Sequence, residues 1–185
     1  PYVLAEMHSA QKGDLKAFDK ALWGHVGFTV SNAARALIMG LTGSHFVKVP
    51  GDVAPETRRY YQQLTRFSAA FAFLSDLSMG TMGGALKRKE KLSARLGDIL
   101  SLMYLASATL KRFESEGRHS ADAPLMHWAI WDCMFRIQQA FEGVIANFPN
   151  KLFAFVLRRV VVFPLGRPYV VPSDKLGHKV AALLL

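Results

Sequence analysis

The stretch from Arg58 to Gly117 limits what this chain can fold into: RRYYQQLTRFSAAFAFLSDLSMGTMGGALKRKEKLSARLGDILSLMYLASATLKRFESEG. In its first half Tyr60, Leu64, Phe67, Phe71, Leu74 and Leu77 recur at steps of three and four. In its second half Leu86, Leu92, Leu96, Ile99, Met103, Ala106, Leu110 and Phe113 largely repeat the pattern. Such spacing lays an apolar stripe along one face of a helix. Thirty helical residues reach about 45 Å. Two rods of that length, meeting at Gly83 and Gly84, have too little core between them, so further helices must cover the stripes.

Those helices can be placed on either side. Residues 1–18 read as a lead-in, short and amphipathic or irregular. Asp19 to Leu41 reads as the first long helix, with a start a few residues earlier left open, and Leu22, Val26, Val30, Ala33, Ala34, Leu37 and Leu41 are among its apolar positions. A Gly- and Pro-bearing linker, Thr42 to Pro55, follows. Pro55 and Glu56 suit the first turn of a second helix, which runs to about Met82. The glycines then make either a tight antiparallel hairpin, the favoured reading, or a kink in one long rod. The third helix is expected from about Ala85 to Glu116, with Gly117 as its C-terminal stop. Asp122 and Pro124 open a fourth, Leu125 to Asn147, which carries Trp128, Trp131, Phe135, Gln138, Phe141 and Ile145 in a stripe. Lys151 to Phe163 is a fifth, short and strongly apolar helix, although Val160 to Phe163 also suits a strand. Ser173 caps a last helix. The fold class is all-α: an antiparallel four-helix bundle over residues 19–147, then an apolar basic helix and C-terminal tail over 148–185.

Composition adds a constraint. Hydrophobic residues make up 51% and charged residues 20% of the chain, which is apolar for a free-standing domain. The surplus must meet another protein surface or a membrane surface. The opening at Pro1 and the ending AALLL read as a piece of a longer chain. No run reaches 18 uncharged apolar residues, so no ordinary membrane span is expected. A single cysteine, Cys133, excludes an intrachain disulfide. The net charge of +9 invites a nucleic-acid reading, yet no zinc finger, RNA-reading aromatic motif or basic zipper accompanies it, and no nucleic-acid partner is expected.

Few constellations suggest chemistry. The six histidines are scattered, without metal-ligand spacing, and read as loop or surface residues. Cys133 falls in a core pattern and reads as a small hydrophobe. No nucleophile elbow, P-loop or dinucleotide glycine fingerprint occurs. Arg95 and Asp98 share a helix face, and with Asp76 on the preceding helix they are candidates for a structural ion-pair network. Lys87, Arg88, Lys89 and Lys91, with Arg95, face only Glu90 between positions 85 and 95. Arg158 and Arg159 lie among Leu152, Phe153, Phe155, Val156 and Leu157. These basic residues are candidates for an anion or membrane contact; the alternatives are a solvated face and docking against another domain.

Three blocks, the stretch quoted above, NFPNKLFAFVLRRVVVFPLG and PSDKLGHKVA, closely resemble the C-terminal part of the long bacterial acyl-coenzyme A dehydrogenases of fatty-acid β-oxidation. Ser93 to Leu110 is also similar to a helix in the appended domain of the very-long-chain mitochondrial enzymes. The resemblance implies a parent flavoprotein in the bacterial cytoplasm. That enzyme uses a carboxylate base and FAD to convert medium- or long-chain fatty acyl-coenzyme A to the trans-2-enoyl thioester. It implies an accessory helical domain joined to an upstream dehydrogenase core, a homodimer, and a peripheral contact with the inner face of the cytoplasmic membrane. It gives no catalytic residue here, because Glu6, Glu56, Glu90 and Glu114 match no core motif, and it places the flavin upstream. Taken without the resemblance, the residues also suit a non-catalytic scaffold or membrane-docking module of an unrelated protein.

Overall fold

The computed structural model describes residues 2–162 and 167–184. They form seven α-helices: α1 (Tyr2–Lys12), α2 (Leu15–Leu41), α3 (Pro55–Met82), α4 (Glu90–Ser115), α5 (Ala123–Ala146), α6 (Lys151–Val156) and α7 (Asp174–Leu184). No strand occurs among the described residues. The four long helices α2 to α5 alternate in direction. Thr29 of α2 meets Asp76 of α3, and Glu114 near the end of α4 meets Ala54 at the start of α3.

The lead-in proves helical. Gly13, at φ 69°, turns the chain, and the Asp14 carboxylate accepts the Ala17 N–H at 3.0 Å to start α2 four residues before the expected Asp19. α1 therefore folds back on α2 as a helical hairpin, with Tyr2 beside His25 and Phe28.

Gly83, at φ 49°, ends α3 where the sequence predicts. The next helix does not begin at Ala85, however. Gly83–Arg88 forms a 3₁₀ turn, and α4 starts at Glu90. The tighter winding satisfies Leu86, whose carbonyl accepts the Lys89 N–H at 3.1 Å and the Ser93 hydroxyl at 2.8 Å. The connection is thus a hairpin and not a kink. At the other end Gly117 (φ 97°) and Arg118 (φ 57°) leave α4, and the Arg118 N–H reaches back to the Phe113 carbonyl at 3.1 Å. Asp122 occupies the cap position of α5, but its side chain makes no capping bond there. Asn150 caps α6 through the Leu152 and Phe153 N–H groups at 2.9 and 3.2 Å. The expected fifth helix is α-helical only to Val156; Leu157–Val162 widens into a π turn, which replaces the strand alternative for residues 160–162. Phe163 lies outside the described residues.

The core runs between α3, α4 and α5. Leu74, Ile99, Ala106, Leu110, Ile130, Ile137 and Phe141 are wholly excluded from solvent. Each large side chain buried this way contributes about 1.5–3 kcal/mol. Leu64 belongs to this core, and Phe71, Leu96 and Met103 pack against it half-buried. Cys133 is also half-buried, and burial, followed by the Asp132 charge, pushes its thiol pKa up. The C-terminal segment is held to α5 by Gln138. Its amide N–H donates to the Tyr169 carbonyl at 3.0 Å, and its oxygen accepts the Tyr169 N–H at 3.1 Å. The Tyr169 hydroxyl then donates to Gln63 of α3 at 2.7 Å.

Candidate functional site

The end of the bundle where α4 begins and α5 ends carries a concave basic surface of about 540 Å³, lined by Arg88, Lys89, Glu90, Lys91, Leu92, Arg95 and Asn147. The 3₁₀ turn brings these groups together. By stopping short of an α-helix, it swings Arg88 and Lys89 to the mouth of α4, while Lys91 and Arg95 follow along the helix. No side chain caps the α4 N-terminus. Lys87 is exposed but does not line the concavity.

The three expected ion-pair residues are divided. Asp76 faces α2, where it accepts from the Thr29 hydroxyl at 3.1 Å and lies 3.5 Å from His25 Nε2. Arg95 lies against Gly143 of α5, close enough that a Cβ there would meet its Cδ at 2.8 Å. Asp98 is exposed on α4. Among the described residues no ion pair joins Arg95 to either carboxylate.

α6 and the π turn after it leave Lys151, Leu152, Phe155, Arg158 and Arg159 exposed, Leu152 at 68% and Phe155 at 59%. Leu157 and Phe148 turn inward. An apolar groove of about 470 Å³ separates α4, α5 and α7, with Phe113, Met126, Trp128, Val180 and Leu184 in its walls. Its polar rim holds Glu116, Asp122 and Arg112, the last tied to Glu116 at 2.9 Å.

Sequence patterning misses three interhelical groups. His25 leaves the surface and bridges Glu6 of α1 at 2.9 Å and Asp76 of α3. His127 shares a hydrogen bond of 2.7 Å with Tyr60. Glu114 supplies α3 with the cap that Ala54 cannot. It accepts the Ala54 N–H at 3.1 Å and the Thr57 hydroxyl, and it pairs with Arg118 at 2.6 Å. A single residue at helix spacing gives no sign of such partners. The only legible hint is that Ala54 leaves the α3 N-terminus in need of an acceptor. Among the described residues no group of three or more His, Cys, Asp or Glu is arranged to hold a metal ion. No described helix is long and apolar enough to cross a membrane.

Over residues 1–185 the chain matches the family described as acyl-CoA dehydrogenase, C-terminal, bacterial type. It belongs to that family. No solved structure matches it. Membership of the acyl-CoA dehydrogenase family implies FAD in the full enzyme, and neither of these two hollows suits it well. In the apolar groove the dinucleotide's diphosphate would meet Glu116 and Asp122 beside one arginine, Arg112, which is already paired with Glu116. In the basic concavity the diphosphate would find cations, but the flavin ring would find Leu92 as its single apolar neighbour. No redox step is assigned to the residues of this acyl-CoA dehydrogenase segment.

Proposed function

We propose that this chain is the accessory helical part of an FAD-dependent acyl-CoA dehydrogenase that oxidises medium- or long-chain fatty acyl-CoA to trans-2-enoyl-CoA. The upstream core of the same polypeptide carries the flavin and the base. Residues 1–18 lead in from that core, 19–147 form the bundle, and 148–185 supply the basic apolar segment and tail. The supporting observation is the family match over residues 1–185.

The role of this part is docking. α2 turns Trp23, Val26, Val30, Ile38 and Leu41 to solvent along one side, with Ala34 between them. From Trp23 to Leu41 that side is about 27 Å long. An apolar face of this extent is costly to leave in water and suits a protein partner. The upstream core is the partner we assign to it, within a homodimeric enzyme. The outward face of α6, apolar and basic together, supports a second role, a peripheral contact with anionic lipid at the inner face of the bacterial cytoplasmic membrane.

The test compares the isolated chain with the long polypeptide. The long form should be yellow and should oxidise long acyl-CoA with an artificial electron acceptor; the isolated chain should be colourless and inactive. Stoichiometric flavin on the isolated chain would overturn the reading, as would a long form with neither flavin nor dehydrogenase activity.

A further inference from the structure

We infer that the basic concavity at the start of α4 is a binding site for a phosphate-bearing polyanion of two or more negative charges. Four cations, Arg88, Lys89, Lys91 and Arg95, line it against one carboxylate, Glu90. Four arginines elsewhere are neutralised locally, Arg112 by Glu116, Arg118 by Glu114, Arg136 by Asp132 and Arg167 by Glu142, all within 2.9 Å, whereas Arg35, Arg58, Arg158 and Arg159 are exposed singly or as a pair and do not line this hollow. Among the described residues, none of the four cations in the concavity makes such a pair. Four like charges against a single carboxylate in a hollow raise the local anion concentration, and they repel one another until an anion enters.

The shape narrows the ligand class. Two guanidinium groups offer planar forks for phosphate oxygens, and two ammonium groups add point charges. No side chain caps the first turn of α4, and a helix N-terminus favours an anion nearby. A single carboxylate would satisfy one fork and leave the remaining cations unpaired, whereas a diphosphate can engage several. The same phosphate chemistry is offered by an anionic lipid headgroup and by a free phosphorylated solute.

The experiment uses the whole 185-residue chain. Inorganic pyrophosphate is titrated by calorimetry at low ionic strength. In parallel, flotation is measured with phosphatidylcholine vesicles containing cardiolipin, whose headgroup bears two phosphates, and with pure phosphatidylcholine vesicles. The site variant is Arg88→Gln with Arg95→Gln; the charge-matched control is Lys48→Gln with Lys111→Gln, both exposed and outside the concavity. The site variant should weaken anion binding about tenfold or more and the control by less than about twofold. Pyrophosphate binding without flotation assigns a free ligand. Flotation on anionic vesicles alone, lost in the site variant, assigns a headgroup. Equal losses in both variants, or no binding of either probe by the unaltered chain, overturn the proposal. Far-UV circular dichroism of each variant separates lost binding from lost helix.

Discussion

The α4–α5 pair and the α1–α2 pair are both helical hairpins rich in apolar residues, and they use those residues in opposite ways. Along α4 and α5, Ile99, Ala106, Leu110, Ile130, Ile137 and Phe141 meet in a seam that water does not reach. α1 has no buried residue, and α2 buries only Asn32, Ala36, Met39 and Gly40, all in its second half. Its Trp23 is 71% exposed and its Val30 62%. Periodicity shows that a helix has an apolar side; it does not show whether the covering surface lies in the same chain. The first hairpin is finished within the chain; the proposed docking role would make the second one finished by a partner.

If that division is right, the largest loss should come from the seam. Phe141 stacks on Phe67 with ring centroids 5.9 Å apart and is fully buried. Phe141→Ala should cost about 3–5 kcal/mol, the transfer term plus an unfilled cavity. Urea unfolding followed by circular dichroism reads it directly. A loss below about 1 kcal/mol would mean that the seam is loosely packed and the contrast with α2 false.

The cap between α3 and α4 should come next. Glu114→Ala leaves the Ala54 N–H without its acceptor, the buried Thr57 hydroxyl with only the Ala54 carbonyl, and Arg118 without its carboxylate partner. A loss of about 2–3 kcal/mol is expected. Glu114→Gln keeps an acceptor and should lose about half as much. Equal losses in the two variants would show that the charge, and not the acceptor, holds α3.

A smaller effect is tied to pH. Burial, and then the nearby Glu56 charge, pushes the Tyr60 phenol up to about 12 from an ordinary value of 10. The folded chain thus holds this proton more tightly than the unfolded chain does. The resulting stability is complete below pH 10 and is lost as pH rises from 10 through 12. Allowing for partial exposure, the loss is on the order of 1–2 kcal/mol. Tyr60→Phe gives up the His127 hydrogen bond at neutral pH but should flatten the decline above pH 10. Urea midpoints at pH 8 and pH 11 make the comparison, and parallel declines in the two proteins would remove Tyr60 as the cause.

What the sequence discloses follows from the range of each signal. The long helices are legible because one local period specifies each. Pro55 and Gly83 bound α3 where their backbone preferences say they should. The 3₁₀ turn is not legible, because Leu86 and Lys89 fit an α-helix equally well until Ser93 reaches back to the Leu86 carbonyl. Nor is the widening at Leu157, where the apolar pattern continues while the winding changes. The bridge from Glu6 through His25 to Asp76 joins residues far apart in the chain, and no short-range pattern carries it. The basic cluster is legible as charge but not as a hollow, since Asn147 closes it from another helix.

The smallest expected change in stability is the one that most sharpens the contrast between the hairpins. Trp23→Ser with Val30→Lys alters two exposed positions on α2 that touch solvent in this chain. Its unfolding free energy should therefore stay within about 0.5 kcal/mol of the original. In the long polypeptide the same pair should matter, because there the face is covered. Hydrogen exchange across α2 should be slower in the long polypeptide than in the isolated chain, and the double variant should erase that gain. If the variant instead destabilises the isolated chain by more than about 1 kcal/mol, α2 is already covered by its own chain. In that case the exposed side of α2 is no docking face, and the two hairpins do not differ in the way their burial indicates.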